Sequence, residues 1–217
     1  TTDYVNPEII FKDSHATFEK SMTSFYGEMN FSALRRYFIS AVLREDGFSA
    51  YAPGNRSVLS PSVTAEWNIA GESFFPSDGI INDLALSLTL GSAGTGSVAQ
   101  SFSTIPSPDL RPETTRYIIS GLRIAMFENR LNLSVNGFIN KNRDMITEVN
   151  VPSGGNFSAT ILANAGDVDN RGIEFRIETN LLTGKVFEWN AALHGILRKN
   201  IIETLPNGID FITAGSV

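Results

Sequence analysis

The 217-residue sequence predicts an all-β chain, an antiparallel array of about eight strands with the pattern of a transmembrane β-barrel. Three observations carry the prediction. Apolar and polar residues alternate with a period of two along most of the chain, and helical i, i+3, i+4 spacing is hard to find. The alternating runs are about 9–12 residues long, above the ~5–6 of an ordinary soluble strand and matched to a tilted bilayer span. Connections tend to alternate between short turns and long loops rich in Gly, Pro, Ser and Asn.

Weaker alternation at about Met22 to Phe31 and Arg36 to Arg44 predicts two strands joined by a tight turn, Ser32 to Arg35. A long loop, Glu45 to Leu59, leads to a clear strand. There Pro61, Val63, Ala65, Trp67 and Ile69 face one way and Ser60, Ser62, Thr64, Glu66 and Asn68 the other. An intermediate connection, Ala70 to Ile81, precedes Leu84, Leu86, Leu88 and Leu90, which alternate with Ala85, Ser87, Thr89 and Gly91. After the loop Ser92 to Glu113 come a weaker run, Thr114 to Phe127, and a tight turn, Phe127 to Arg130. Leu131, Leu133, Val135, Gly137 and Ile139 then alternate with Asn132, Ser134, Asn136, Phe138 and Asn140. The residues from Asp144 to Arg171 read as a third long loop. Beyond it Ile173, Phe175 and Ile177 oppose Glu174, Arg176 and Glu178, and a turn, Leu182 to Lys185, precedes Phe187, Trp189, Ala191 and Leu193.

Composition narrows the function classes. Only 18% of residues are charged, against the ~25% of soluble domains, and the hydrophobic share of 42% is not raised in exchange. A net charge of −6 argues against nucleic acid as a partner, because phosphate backbones demand clustered Lys and Arg. With no cysteine, thiol nucleophiles, disulfide scaffolds and thiolate zinc sites are excluded. The opening residues, Thr1 to Pro7, have neither a basic nor an apolar leader segment, so the reading is a mature chain or one that begins within a longer protein. No run reaches the ~18 apolar residues of a membrane helix, a test that barrel strands escape through their alternation.

Several motifs fall in one family's order. Arg44-Glu45-Asp46-Gly47 resembles the Arg-x-Asp-Gly signature that opens an external loop in SusC/RagA-type TonB-dependent outer-membrane transporters of Bacteroidetes. Ser60 to Trp67 resembles that family's Phe-Pro-Ser-Val-Ser-Ala-Gly-Trp strand, with Ser60 in place of Phe and Glu66 in place of Gly. Asn82-Asp83-Leu84, Leu90-Gly91 and Thr95-Gly96 are similar to a further strand and loop, where Ala85 replaces Lys and Ser97 replaces Asn. Pro108 to Thr115 resembles Asn-Pro-Asp-Leu-Lys-Trp-Glu-Thr-Thr, with Pro112 where Trp is common. Asn164 to Glu174 is similar to Asn-x-Gly-x-Val-x-Asn-Lys/Arg-Gly-Ile-Glu. The likeness runs from about residue 18 to about residue 205.

The resemblance implies the later part of a 22-stranded barrel, with residues 1–217 a partial barrel domain and the N-terminal plug not present in this chain. It further implies an outer-membrane importer of oligosaccharides or peptides, embedded in outer-membrane lipid. Its implied partners are a SusD-like surface lipoprotein acting as a lid and TonB, contacted through the missing N-terminal region. No cofactor and no catalysis are expected, since a wall makes and breaks no bond.

Residue by residue, no catalytic or metal site is expected, and no substrate-binding residue can be named. His15 and His194 are the only imidazoles, and no Ser-His-Asp spacing surrounds them. Glu174, Arg176 and Glu178 share a face and read as a charged ladder on a wetted wall rather than as a hydrolytic pair. Asp167-Val168-Asp169-Asn170 alternates oxygen ligands but lacks the Gly and Glu of a calcium loop. Gly91 to Gly96 lacks the Lys-Ser/Thr of a phosphate loop and reads as a mobile loop. Tyr37, Trp67, Phe127, Phe187 and Trp189 lie toward strand ends, as an interfacial girdle does; sugar stacking is the alternative for Phe48, Tyr51, Phe102 and Phe157 on loops, and girdle and packing roles are preferred to ligand contact. Two rivals share the pattern: a soluble β-sandwich carbohydrate-binding module with the apolar parity inside, and a secreted β enzyme using Glu174 and Glu178.

Overall fold

The computed structural model describes residues 21–76, 78–96, 105–106, 108–150, 160–183 and 187–204. Eight long strands form one antiparallel sheet, each paired with the next in sequence: β1 (Met22–Ala33), β2 (Tyr37–Phe48), β3 (Ser57–Asn68), β4 (Ile81–Thr95), β6 (Glu113–Met126), β7 (Leu131–Asn150), β8 (Thr160–Thr183) and β9 (Glu188–Thr204). A two-residue strand, β5 (Ile105–Pro106), pairs in parallel with Ile161 and Leu162 of β8. The described helical content is one 3₁₀ turn, Ile69–Gly71, whose amide Gly71 N is capped by Asn68 Oδ1 at 3.3 Å.

The predicted alternation sets the two faces. Across β3, β4 and β6, Trp67 stands opposite Leu86, which stands opposite Leu122, and Val63, Leu90 and Ile118 form a second such row. Farther along, Val135, Phe175 and Gly195 align, as do Leu133, Ile177 and Leu193. The opposite parity carries Thr64 and Thr89, Glu66 and Ser87, and Asn136 and Glu174. No second layer covers the apolar rows among the described residues. Leu86, Leu88 and Leu90 are 43%, 45% and 48% exposed, Leu133 and Phe175 are only half-buried, and no described side chain is fully buried. A soluble sandwich would bury these rows, so that rival fails.

At one end of the sheet the connections are tight. Leu34 and Arg35, with φ of 54° and 57°, are the central residues of the tight turn between β1 and β2, which the Arg36 amide closes by donating to the Ala33 carbonyl at 3.0 Å. Phe127, Glu128 and Asn129 also take positive φ, and Asn82 Oδ1 accepts from the Glu128 and Asn129 amides at 2.6 and 3.3 Å. β8 runs to Thr183, so the β8–β9 connection begins two residues later than the turn expected from Leu182.

The opposite end departs from expectation. The loop foreseen from Asp144 to Arg171 is largely strand: β7 continues to Asn150 and β8 begins at Thr160. Alternation was hidden because the register slips between Asn142 and Met145 and again before Ile146, around Asp144 with its φ of 59°. Gly91 to Thr95, foreseen as a mobile loop, is likewise the end of β4. At ~3.3 Å per residue, the 12 residues of β1 to β3 span ~40 Å along the strand and the 24 of β8 ~79 Å. A tilted crossing uses only ~9–11 residues, so β7 and β8 rise well past it.

Candidate functional site

The polar face carries a lattice of paired charges. Arg123 on β6 reaches Glu66 on β3 and Asp83 on β4, each at 3.0 Å, tying three strands together. Arg176 pairs with Glu178 along β8, while Thr64 and Thr89 share a hydroxyl hydrogen bond of 2.9 Å. Ser24 donates to Asp46 at 2.5 Å and Arg44 donates to it at 2.8 Å, so the buried carboxylate at the loop end of β2 is satisfied. Such a face is wetted and internally matched, as a water-lined wall requires.

Above this lattice, the loop end closes over a small apolar cluster. Phe48, Tyr51, Leu110 and Leu162 are buried together, with Ala50, Val58 and Ile146 packed against them. The Phe48 and Tyr51 rings meet edge to face with centroids 6.0 Å apart. These two aromatics take the packing role preferred over sugar stacking, and anchor the 49–56 loop. The Tyr51 hydroxyl is buried with no hydrogen-bond partner, and burial together with the Glu113 carboxylate pushes its phenol up to about 12. A hollow of about 510 Å³ lies alongside, lined by Met22, Arg44, Asp46, Phe48 and Gly94 among others.

One asparagine binds the cluster to the tall strands. Asn164 Oδ1 accepts from the Arg111 amide at 2.9 Å, and its Nδ2 donates to the Arg111 and Asp144 carbonyls at 2.8 and 2.6 Å. Arg111 also pairs with Asp144 at 2.5 Å, and Glu113 accepts from the Ile146 amide at 2.6 Å. Leu110, Asp144, Leu162 and Asn164 were not singled out as site residues from the sequence. The signal available was that three family-like stretches, beginning at Arg44, Pro108 and Asn164, converge here.

The remaining sequence candidates are placed as follows. His194 is exposed on the polar face opposite Arg176. Glu174 and Glu178 lie four residues apart on one strand, roughly 13 Å along it, beyond the ~5–9.5 Å that glycoside hydrolysis uses. Asp167 accepts from the Asp144 amide and the Thr204 hydroxyl, and Asp169 pairs with Arg143 at 2.8 Å. No three acidic or imidazole groups converge as metal ligands among the described residues. Tyr37, Trp67, Phe127, Phe187 and Trp189 all sit at the turn end, exposed, as a girdle. His15, Phe102 and Phe157 lie outside the described residues.

A one-layered antiparallel sheet with one greasy exposed face and one wetted, ion-paired face defines a wall segment of a transmembrane β-barrel. A model of the family described as TonB dependent receptor-like, beta-barrel, matches residues 1–211, and the chain belongs to that family. Its members are outer-membrane proteins, which places this sheet in the outer membrane. The chain is 26% identical to the TonB-dependent receptor SusC of Bacteroides thetaiotaomicron, over 90% of its own length and 22% of that protein's. It is 27% identical to the TonB-dependent receptor P3 of Formosa agariphila, over 88% of its length and 21% of the relative's. The chain thus spans about a fifth of these curated relatives. Among solved structures, the RagAB peptide transporter superposes with a TM-score of 0.75 at 22% identity, covering 88% of this chain and 23% of that one. The FrpB iron transporter of Neisseria meningitidis follows the same fold, with a TM-score of 0.61 at 15% identity over 87% of this chain and 27% of its own. The SusC/RagA-type likeness seen in the motifs is therefore matched by whole-chain similarity, and these relatives are receptors and transporters rather than enzymes.

Proposed function

We propose that this sheet is wall and mouth of a SusC-like TonB-dependent importer that carries oligosaccharides or peptides inward across the outer membrane. One observation carries the reading: Leu86, Leu88 and Leu90 are left open on one face while Arg123, Glu66 and Asp83 are matched on the other. β1 and β9 each have one unpaired edge among the described residues, and open edges in lipid cost several kcal/mol per unmet backbone group. Further strands beside both therefore complete the barrel, this chain supplying a partial barrel domain of a protein whose plug lies elsewhere. The long strands and loops shape the external mouth, where a SusD-like lipoprotein sits as a lid, and TonB engages the plug side.

The test is uptake of a labelled oligosaccharide and of a labelled oligopeptide by cells holding the full protein in their outer membrane, with and without TonB. TonB-dependent entry of either supports the proposal. A protein that is membrane-embedded but imports neither would overturn the cargo assignment, and one that stays in solution at high salt without detergent would overturn the wall itself.

A further inference from the structure

The apolar face ends, toward the loop side, in a row of cations. On β6 the outward positions run from Ile118 to Arg116, on β7 from Ile139 to Lys141, on β8 from Ile173 to Arg171 and on β9 from Leu197 to Lys199. In all four strands a basic residue stands two positions beyond an exposed aliphatic one, on the same face and displaced toward the loops. All four cations are exposed. Arg116 lies directly opposite Lys141, and Arg171 directly opposite Lys199.

Like charges placed directly across an antiparallel pair are destabilising. Sheets normally relieve them with neighbouring acids, yet none of these four side chains has an ion pair among the described residues. Of the acids near them, Asp169 stands directly opposite Lys141 but is held by Arg143 at 2.8 Å, and Glu203 lies beyond Ile201 toward the tip of β9. The row is also confined to one flank. The outward positions at the same end of β2, β3 and β4 are Glu45, Leu59 and Ser92, with no cation.

We propose that Arg116, Lys141, Arg171 and Lys199 form a binding site for the phosphate of an anionic membrane lipid in the loop-side leaflet. Its acyl chains lie down the strip of Ile118, Ile139, Ile173 and Leu197. The inference rests on the wall reading above, which sets this face against lipid. The height fits: Leu131 to Ile139 spans the apolar band of β7, and Lys141 begins where a ~25 Å band gives way to headgroups. A basic cluster one row above hydrocarbon is the arrangement that attracts anionic headgroups. A second copy of the chain is a poor occupant, since it would bring the same four charges to the contact.

The test is native mass spectrometry of the full detergent-purified protein, titrated with diphosphorylated lipid A, with lipid A stripped of phosphate, and with inorganic phosphate. The expected result is retention of the diphosphorylated form alone. Binding should fall about 100-fold or more in the R116Q/K141Q/R171Q/K199Q variant, given the strength of each basic contact at a membrane surface, and persist in K141R/K199R. Heat-modifiable migration checks that both variants hold their barrel. Equal retention of the phosphate-free lipid, or undiminished binding by the neutral variant, would overturn the proposal. Equally tight binding of inorganic phosphate would reassign the site to a free anion. A protein that needs no detergent to stay dissolved would instead count against the wall reading.

Discussion

Tyr37 and Trp67 face each other across β2 and β3, and both donate to one carboxylate oxygen, Oε1 of Glu72, at 2.6 and 3.0 Å. Arg36 holds the other oxygen at 2.8 Å. The aromatic girdle at the turn end is therefore more than a row of rings near an interface. Two of its members, Tyr37 and Trp67, are locked to the 3₁₀ connection by a shared anion, which fixes where the indole and phenol sit relative to the bilayer edge.

The Tyr37 hydrogen bond first, then that from Trp67, together with the Arg36 contact, hold the Glu72 carboxyl below the ordinary carboxylate range despite some opposing desolvation. A depressed carboxyl contributes above its unfolded value of ~4.3 and loses its contribution as pH falls through the folded value. With every tryptophan of the full protein except Trp67 replaced by Phe, Trp67 emission should stay constant from neutral pH to below ~4.3 and then shift in a single step. Glu72→Gln should abolish that step.

Charge should be tolerated on one face only. Leu88→Lys places an ammonium near the middle of the apolar rows and should cost about 2–4 kcal/mol. Asn136→Lys, on the wetted face directly opposite Glu174, should cost less than about 1 kcal/mol. Urea unfolding of the full protein in vesicles measures both. Equal costs would contradict the assignment of faces.

Two glycines should respond oppositely to a methyl group. A Cβ at Gly172 would fall inside contact distance of the Leu197 carbonyl oxygen and lie 2.8 Å from the Phe138 ring. Gly172→Ala should therefore destabilise by about 1–3 kcal/mol, as overpacking against fixed backbone does. Gly27 has nothing within 4 Å of that position. Gly27→Ala should be neutral or stabilise by up to about 1 kcal/mol, through the unfolded chain. The same vesicle unfolding assay distinguishes them.

Asn164→Ala removes the partner of both Arg111 backbone groups and should cost about 1–3 kcal/mol. The Arg111 amide should lose hydrogen-exchange protection in the variant while amides in the middle of β7 keep theirs. Uniform loss across β7 would show that Asn164 supports the whole sheet rather than the mouth.

Strands with unbroken alternation were legible in the sequence to within a few residues, as β3, from Ser57 to Asn68, illustrates. The upper halves of β7 and β8 were not. Asp144 and the adjacent register slips shift the phase of two, and Thr160 to Gly166 offers small and polar residues on both parities. The mouth cluster was legible only as loose parts. Phe48 and Leu162 are more than a hundred residues apart, and no local period reports a contact at that separation. Packing is the preferred sequence reading of Tyr51, but nothing near it in sequence announces Leu110 as the partner.

The unequal lengths of the strands carry a last consequence. With β1 to β3 stopping at 12 residues and β7 and β8 continuing to 20 and 24, this stretch of rim slopes rather than running level. A molecule arriving from the side of the tall strands meets a parapet, and one arriving over the short strands meets an open step. Approach to the entrance along this arc therefore has a preferred direction, set by nothing more than how many residues each ribbon contributes.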